Sequence, residues 1–244
     1  MDISFAAEKL AQFGPFPLTN SFLTSIITSI SLVVFAILVK TKLKLLPSAT
    51  QNVTEMVIEG FYSLNMQIAG KRTSFIFPWF ATFFLFILVA NWFGLLPGFG
   101  TIGLRYENHF VPLLRPVNSD LNTTLALALI SLVLTHFFSI KTIGIKEYVS
   151  RFVSLNPINL FVGLLELISE FTKIASLSFR LFGNIFAGEA LLVTLSKLAV
   201  FTAFILPVPF MVLEIMVGFV QALIFSMLTL VFMVILTTSH KTSH

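Results

Sequence analysis

The sequence predicts an all-α, polytopic membrane protein. Of its 244 residues, 57% are hydrophobic and 11% are charged, against roughly 25% charged in an ordinary soluble domain. The hydrophobic residues, 29 phenylalanines among them, gather in uncharged runs of about 20 residues, the length that a helix needs to cross a hydrocarbon core of ~30 Å. We expect five membrane-crossing helices, including a long tilted C-terminal helical hairpin, plus one amphipathic interfacial helix.

The composition also excludes several classes of protein and site. There is no cysteine, so disulfides and thiolate metal sites are excluded. The net charge of +4 comes without a basic cluster interleaved with aromatic residues, which argues against nucleic-acid binding. The first residues have no basic segment followed by an apolar core, so we expect no cleavable signal peptide.

The N-terminal third, residues 1–72, predicts one span and one amphipathic helix. Residues 1–18 form a short mixed tail in which proline and glycine prevent a helix, and the uncharged run 19–39 ends at three lysines. After Pro47, residues 48–69 show apolar positions at helical spacing but are too polar to span. They predict either a helix lying at the membrane interface or an ordinary helix packed on protein.

Residues 73–140 predict a middle helical hairpin. Its two uncharged spans, 73–96 and 121–140, are joined by a polar loop. Asp120 precedes the second span and is well placed to cap it. His136 is the only titratable residue inside that span, and we favour an interfacial or packed role for it over a proton relay, although ionisable groups inside membranes are often functional.

Residues 157–238 predict the long tilted hairpin. Asn156 and Pro157 are a good helix start, and no proline follows until Pro207. A helix from there to Leu198 has a length of about 63 Å, twice what a perpendicular span needs. One long, tilted helix is therefore favoured over a hidden tight turn, and residues 209–238 form the last span.

The distribution of lysine and arginine predicts the orientation. With the N-terminus outside and the C-terminus in the cytoplasm, five crossings place nine cations in the inside segments and four in the outside segments. This asymmetry follows the positive-inside rule.

One charge lies inside an apolar segment, that of Arg180. A guanidinium stays protonated in proteins, and an arginine at the centre of a membrane helix costs about 2.5–3.5 kcal/mol or more. On a helical wheel Lys173, Glu166 and Asn184 fall within about 40° of it, and Glu170 about 80° away. These residues form a polar stripe on an otherwise apolar helix, with Glu170 more suited to solvation near the inner boundary than to a mechanistic role.

An antiparallel pairing of the last two helices brings further polar groups to this stripe. It places Arg180 level with Gln221, and Glu189 level with Glu214. The fixed cation then separates carboxyls on its outer side from Glu166 on its inner side. A proton could pass only on a mobile carboxylate, which a partner would have to supply.

The stretch 178–189, Ser-Phe-Arg-Leu-Phe-Gly-Asn-Ile-Phe-Ala-Gly-Glu, resembles the signature of subunit a of the F-type ATP synthase membrane sector. Four further stretches agree and occur in the family's order: 91–98, 120–124, 156–159 and 221–225. The resemblance covers the chain from the second span to the C-terminus.

The resemblance implies roles for the polar residues. Arg180 would match the arginine that faces the ring of c subunits, with Asn184 and Gln221 as its polar neighbours. Glu189 and Glu214 would line the outer half-channel, where the family often has one Glu and one His; with two carboxyls here, a shared proton becomes an alternative to an imidazole relay. Glu166 would match an acidic position on the inner pathway, with Lys173 nearby. The accessory candidates are Lys173, Asp120 and His136.

The implied function is that of a non-catalytic stator subunit, with residues 1–244 as a single membrane domain. Its partners would be the c-ring, b-type peripheral stalk subunits, the lipid bilayer and protons, or alternatively Na⁺; no cofactor, metal or nucleic acid is implied, and no phosphate-binding glycine loop occurs. A bacterial plasma membrane is the expected location. The alternatives are a secondary ion transporter, which the absence of an internal repeat disfavours, and a structural scaffold in which Arg180 only pairs with a buried acid.

Overall fold

The computed structural model describes residues 8–13, 16–41, 43–44, 47–96, 103–106, 109–152, 157–198 and 207–237. Helices dominate this part of the chain. In chain order they are α1 Asn20–Thr41, α2 Ala49–Ala69, α3 Thr73–Phe93, α4 Leu121–Ile143, α5 Ile145–Phe152, α6 Pro157–Leu198 and α7 Pro207–Thr237.

Two short antiparallel hairpins accompany the helices. Strand β1, Lys9–Phe13, pairs with β2, Phe16–Thr19, and β3, Gly103–Tyr106, pairs with β4, His109–Pro112. The sequence analysis treated both regions as an irregular tail and loop. Strands of four or five residues are too short for alternation to distinguish them from loops.

The length and composition of the helices confirm the predicted fold class, an all-α polytopic membrane protein. In the described part of the chain, four helical stretches are long and apolar enough to cross a membrane: Asn20–Thr41, Gln51–Phe93, Leu121–Ile143 and Pro207–Thr237. Helix α6, with 42 residues, has more than the required length and also contains the charged stripe. The structure therefore combines apolar spans with one long helix, α6, that has a polar stripe on an otherwise apolar surface.

Helix α6 is uninterrupted from Pro157 to Leu198, so the favoured single long helix is present and the hidden turn is not. Between α4 and α6, residues Ile145–Phe152 form α5, a helix that the sequence analysis did not predict. An eight-residue helix spans little more than two turns, and its periodicity is weak evidence in a sequence.

Helix α2 begins where the sequence predicts. Ser48 accepts a hydrogen bond from the Gln51 backbone nitrogen at its N-terminus, and one 3₁₀ turn, Gly70–Arg72, leads into α3. One face packs on protein, with the Phe61 and Phe84 ring centroids 4.6 Å apart. The opposite face exposes apolar side chains such as Met56, so α2 contacts α3 along one side only.

Aromatic packing fills the centre of the helix bundle. The Phe83 and Phe225 centroids lie 5.6 Å apart and join α3 to α7, and Phe84 meets Phe219 edge to face at 5.8 Å. Lipid chains are as apolar as these side chains, so apolar contacts alone give little preference for one helix pairing over another. Hydrogen bonds between polar side chains add that specificity. Ser131 bonds Thr229 at 2.8 Å between α4 and α7.

Asn91, near the end of α3, links two other segments. Its Nδ2 donates to the Gly218 carbonyl of α7 at 3.1 Å, and its Oδ1 accepts from Asn118 Nδ2 at 2.6 Å. Gly218 permits this contact, since a Cβ there would lie 3.1 Å from Asn91 Cβ. Asn91 therefore holds α3, α7 and the segment before α4 together.

Replacing Asn91 with leucine is expected to destabilise the protein by about 1–3 kcal/mol, because it removes the partner of the buried Asn118 amide. The midpoint temperature of thermal disassembly, measured on the purified complex, should fall. The exposed Asn52 of α2 offers a matched control, and its replacement by leucine should leave the midpoint unchanged. Equal midpoints for the two variants would contradict the bridging role.

Candidate functional site

Arg180 lies on an exposed side of α6. Its Nη2 donates to Ser176 Oγ, one turn earlier, at 3.1 Å. Within the described part of the chain, no carboxylate forms an ion pair with its guanidinium. The charge therefore faces outward from this subunit without a compensating anion of its own.

The surface around Arg180, which we call the arginine face, is made of small or polar residues. Its exposed members are Ser176, Arg180, Gly183, Asn184 and Ala187. Gly183 has open space where a Cβ would lie. Small side chains allow another helix to approach closely, so this face is suited to contact with a second helical surface.

Asn184 and Gln221 join the two long helices. Asn184 Nδ2 donates to Gln221 Oε1 at 2.8 Å, and Gln221 is buried whereas Asn184 is exposed. The sequence placed Gln221 level with Arg180, but its partner is Asn184, one turn further along α6. The predicted pairing of α6 with α7 is thus correct to within one helical turn.

Glu189 lies beside a buried cation that comes from the segment before α4. Its Oε1 is 3.6 Å from Arg115 Nε, and the same nitrogen donates to Ser119 Oγ at 3.1 Å. Arg115 is only 6% exposed. The geometry gives Glu189 an ionic partner that the sequence analysis did not identify.

Glu214 occupies a different environment on α7. It is 7% exposed, and its carboxyl group lies over Gly188, where an added Cβ would overlap the carboxyl atoms. Among the described residues, Glu214 Oε1 and Glu189 Oε2 are buried atoms without a hydrogen-bond partner. Glu189 is on α6, and the Glu214 carboxyl reaches from α7 to the preceding α6 position, Gly188. The two carboxyls face different neighbours, and each has a free oxygen for an exchangeable proton. We call Arg115, Ser119, Glu189 and Glu214 the Glu189 cluster.

Helix α1 fixes the segment that contains Arg115. The Arg115 backbone nitrogen donates to Thr24 Oγ1 at 3.3 Å, and Ser21 Oγ donates to Asp120 Oδ2 at 3.1 Å. Asp120 Oδ1 also accepts from the Asn122 backbone nitrogen at 3.0 Å, which confirms its predicted capping of α4. Asp120 is thus a structural anchor next to the Glu189 cluster.

A second polar group lies nearer the N-terminus of α6, and we call it the Glu170 cluster. Glu170 Oε1 accepts from Lys173 Nζ at 2.6 Å, and its Oε2 lies 3.7 Å from His136 Nε2. The hydroxyl of Tyr148, on α5, is 2.9 Å from His136 Nδ1. Lys173 also lies over the Phe232 ring, 4.8 Å from its centroid.

The Glu170 cluster corrects one expectation. Glu170 was expected to be solvated, yet it is 7% exposed, because α4 and α5 cover that side of α6. It forms the ion pair with Lys173. Glu166 is half-buried and near enough for its charge to act on His136.

The sequence alone did not assign a role to four residues of these clusters, Arg115, Ser119, Glu170 and Tyr148, or to the neighbouring Gly188. Glu170 had a signal in its spacing of three from Lys173, which allows a contact on one helix face. The others are distant in sequence from the groups that they contact. No three His, Asp or Glu side chains in the described ranges lie close enough together to hold a metal ion.

Comparison with known proteins decides the family. The model of the ATP synthase A chain family matches residues 22–234, which include all of the polar groups described above from Arg115 onward. The chain belongs to the ATP synthase A chain family. Members of this family are membrane proteins of ATP synthesis and proton transport, so the resemblance seen in the sequence is confirmed.

Individual relatives of the ATP synthase A chain family agree over nearly the full length. The chain is 34% identical to ATP synthase subunit a of Moorella thermoacetica, with 92% of this chain and 93% of the relative covered. It is 34% identical to that of Syntrophobacter fumaroxidans, over 92% and 87% of the two chains, and 32% identical to that of Legionella pneumophila, over 93% and 90%.

Proposed function

We propose that the chain is the stator subunit that contains two offset proton half-channels, separated by Arg180, and exchanges protons with the carboxylates of a rotating c-ring. Proton flow across the membrane would thereby be coupled to rotation and to ATP synthesis. The observation that supports this most directly is the exposed, uncompensated Arg180 on the arginine face.

A guanidinium exposed to lipid is costly, at about 2.5–3.5 kcal/mol or more near the bilayer centre. Among the residues that the structure describes, only the Ser176 hydroxyl bonds Arg180, so a partner with an anion would be needed to cover the arginine face. A ring of helices with one membrane-embedded carboxylate each meets that need. In a scaffold, by contrast, Arg180 would pair with an acid of its own subunit.

The carboxyl groups lie on either side of Arg180 along α6. Nine residues separate Arg180 from Glu189, and ten separate it from Glu170, which are about 14 and 15 Å along the helix axis. Neither distance can be crossed by one hydrogen bond. The Glu189 and Glu170 clusters are therefore suited to two separate pathways rather than one pore.

Arg180 prevents direct passage between the two pathways. A proton that approaches the guanidinium is repelled, whereas an ionised carboxylate is attracted. Protons would enter through Glu189 and Glu214, bind a ring carboxylate, and leave near Glu166 after the ring has turned. The ring carboxylate passes Arg180 only in its ionised form, with Asn184 and Gln221 as polar neighbours.

The orientation proposed for this function places the N-terminus outside and the C-terminus in the cytoplasm of a bacterium, with α6 as the fourth crossing and α7 as the fifth. It rests on the nine inside and four outside cations. The other partners would be b-type peripheral stalk subunits and the lipid bilayer. The coupling ion would be H⁺, with Na⁺ as the alternative that the ring's own site decides.

Cross-linking tests the proposed contact with the ring, and the absence of cysteine makes the chain a ready background. A cysteine at Ala187, on the arginine face, should form a disulfide with a cysteine on the outer surface of a c subunit. This link should stop ATP-driven proton pumping, and a reductant should restore it. A cysteine at Val133, exposed on α4, serves as the control and should not cross-link; equal cross-linking at both positions would contradict the proposed docking.

A further inference from the structure

The half-buried histidine of α4, His136, lies at a cleft on one side of the Glu170 cluster. The cleft has a volume of about 230 Å³ and is lined by His136, Tyr148 and Glu170 together with apolar side chains of α4, α5 and α6. Within the described residues, His136 is the only histidine whose ring contacts a carboxylate. An imidazole changes charge near neutral pH more readily than any other side chain.

We propose that His136 and Glu170 form the proton-transfer pair of the cytoplasmic half-channel, and that Tyr148 holds the imidazole in the tautomer that accepts the proton. The inference rests on the proposed function. It replaces Glu166 with Glu170 as the main carboxyl of that pathway.

The two oxygens of Glu170 have separate partners, which suits a transfer group. Oε1 accepts from Lys173 at 2.6 Å, and this bond fixes the position of the carboxylate. Oε2 faces His136 Nε2 at 3.7 Å. A small side-chain rotation closes this gap to hydrogen-bond distance, and such gaps are common in sites that are not turning over.

Tyr148 determines which imidazole nitrogen is free. Its oxygen lies 2.9 Å from Nδ1, so when it accepts from Nδ1–H, the lone pair of Nε2 points toward Glu170. This use of the second nitrogen to fix the tautomer is general for functional histidines. Tyr148 belongs to α5, so that short helix has a functional reason to pack against α4 and α6.

Glu170 also joins the cleft to the interior. It lines a second, smaller gap with Ser131, Thr135 and Lys173 between α4, α6 and α7, and Ser131 bonds Thr229 of α7 there. Hydroxyl groups of this kind donate and accept hydrogen bonds. The gap gives Glu170 a polar approach from the protein interior, and the cleft gives His136 access to the surface.

The transfer sequence balances in protons. In the synthesis direction, the Glu170 carboxylate accepts a proton that a ring carboxyl has released and becomes a carboxylic acid. It passes that proton to neutral His136 Nε2, which leaves a carboxylate and an imidazolium. The imidazolium releases the proton to water in the cleft, and the neutral tautomer is restored. ATP-driven pumping uses the same steps in reverse.

The groups that face His136 define its electrostatic surroundings. Glu170 and Glu166 favour the imidazolium, and Lys173 disfavours it, all three from α6. Tyr148 is the titratable residue of α5 that contacts the ring.

Chemical rescue tests the proposal in the assembled complex. The measurement is the rate of ATP hydrolysis by inverted vesicles in the presence of an uncoupler. Only the part of this rate that a carboxyl-modifying carbodiimide inhibits is counted, because that part requires ring rotation. Replacement of His136 with alanine should lower this rate by about 100-fold, the lower limit for loss of a general acid–base group. Added imidazole should restore most of the rate in a saturable manner, since it can enter the open cleft.

Matched variants separate a transfer role from a structural one. Phe137→Ala truncates the neighbouring aromatic ring on the exposed side of α4, and its rate should not respond to imidazole. Tyr148→Phe should lower the rate less than His136→Ala, and Glu170→Gln should lower it more than Glu166→Gln. If the His136→Ala complex does not assemble, the rates of His136→Gln and Tyr148→Phe are compared with the wild-type rate instead.

Two outcomes would overturn the proposal: a wild-type rate for assembled His136→Ala, or a loss that imidazole does not restore. If the proposed stator function itself is wrong, Arg180→Ala will also retain carbodiimide-sensitive hydrolysis, and this distinguishes the two failures. A result in which Arg180→Ala is inactive and His136→Ala is fully active rejects only the role of His136.

Discussion

Replacement of Arg180 with alanine is expected to reduce ATP synthesis in energised vesicles to background, while the complex still assembles. The guanidinium is exposed and bonds only Ser176 within the described part of its own subunit, so its removal leaves little to repack. Two unit charges 4 Å apart interact by about 4 kcal/mol at an effective dielectric constant of 20, which corresponds to a factor of about 1000. Loss of that interaction with a ring carboxylate should therefore abolish coupling.

Proton leakage provides the second measurement for Arg180→Ala. With the soluble nucleotide sector removed, the passive proton conductance of the membrane sector should remain or increase, because the barrier between the two pathways has gone. Ser176→Ala is the matched control, since it removes the hydrogen-bond partner but keeps the charge, and it should retain most of the ATP synthesis. Sustained synthesis by an assembled Arg180→Ala complex would contradict the separating role.

A single methyl group at Gly188 is expected to block the outer pathway. An alanine Cβ there would overlap the carboxyl group of Glu214, and the flexible glutamate must rotate away. Alanine is about 1 kcal/mol better than glycine in a helix interior, so α6 itself should not be weakened. ATP synthesis should fall by about 100-fold, the size of effect expected when a proton-transfer group is displaced.

Compensation distinguishes displacement of Glu214 from general damage in Gly188→Ala. A shorter acid, in the double variant Gly188→Ala with Glu214→Asp, has room beside the methyl group and should recover part of the activity. Gly60 of α2 has no atom within 4 Å of an added Cβ, so Gly60→Ala should behave as wild type. Normal synthesis by Gly188→Ala would show that the position of the Glu214 carboxyl does not limit proton entry.

The long elements were predictable from the sequence because each depends on a local property. Uncharged runs of membrane length predicted α1, α3, α4 and α7, and the proline-free interval after Pro157 predicted the continuous α6. Arg180 was identifiable for the same reason, since a permanent charge in an apolar segment is conspicuous without any tertiary information. Its outward direction follows from the pairing of α6 with α7, which the sequence predicted to within one turn.

The partners of the carboxyls were not predictable, because they depend on contacts between distant segments. Arg115 reaches Glu189 from a loop 74 positions earlier in the chain, and nothing in the loop marks it as buried. Glu170 lies only 80° or so from Arg180 on the wheel, but its burial depends on α4 and on the eight-residue α5. Periodicity reports which side of a helix is polar, whereas it does not report what covers that side.

The hydrogen bonds that tie α1 to the segment before α4 have a consequence for biosynthesis. The proposed outer pathway would be assembled from four parts of the chain: Thr24 of α1 bonds the Arg115 backbone, Arg115 meets Glu189 of α6, and Glu214 arrives with α7. Helices enter the membrane in chain order during translation. A nascent chain that lacks its last helix also lacks Glu214, so the proposed outer pathway would stay incomplete until α7 has been inserted.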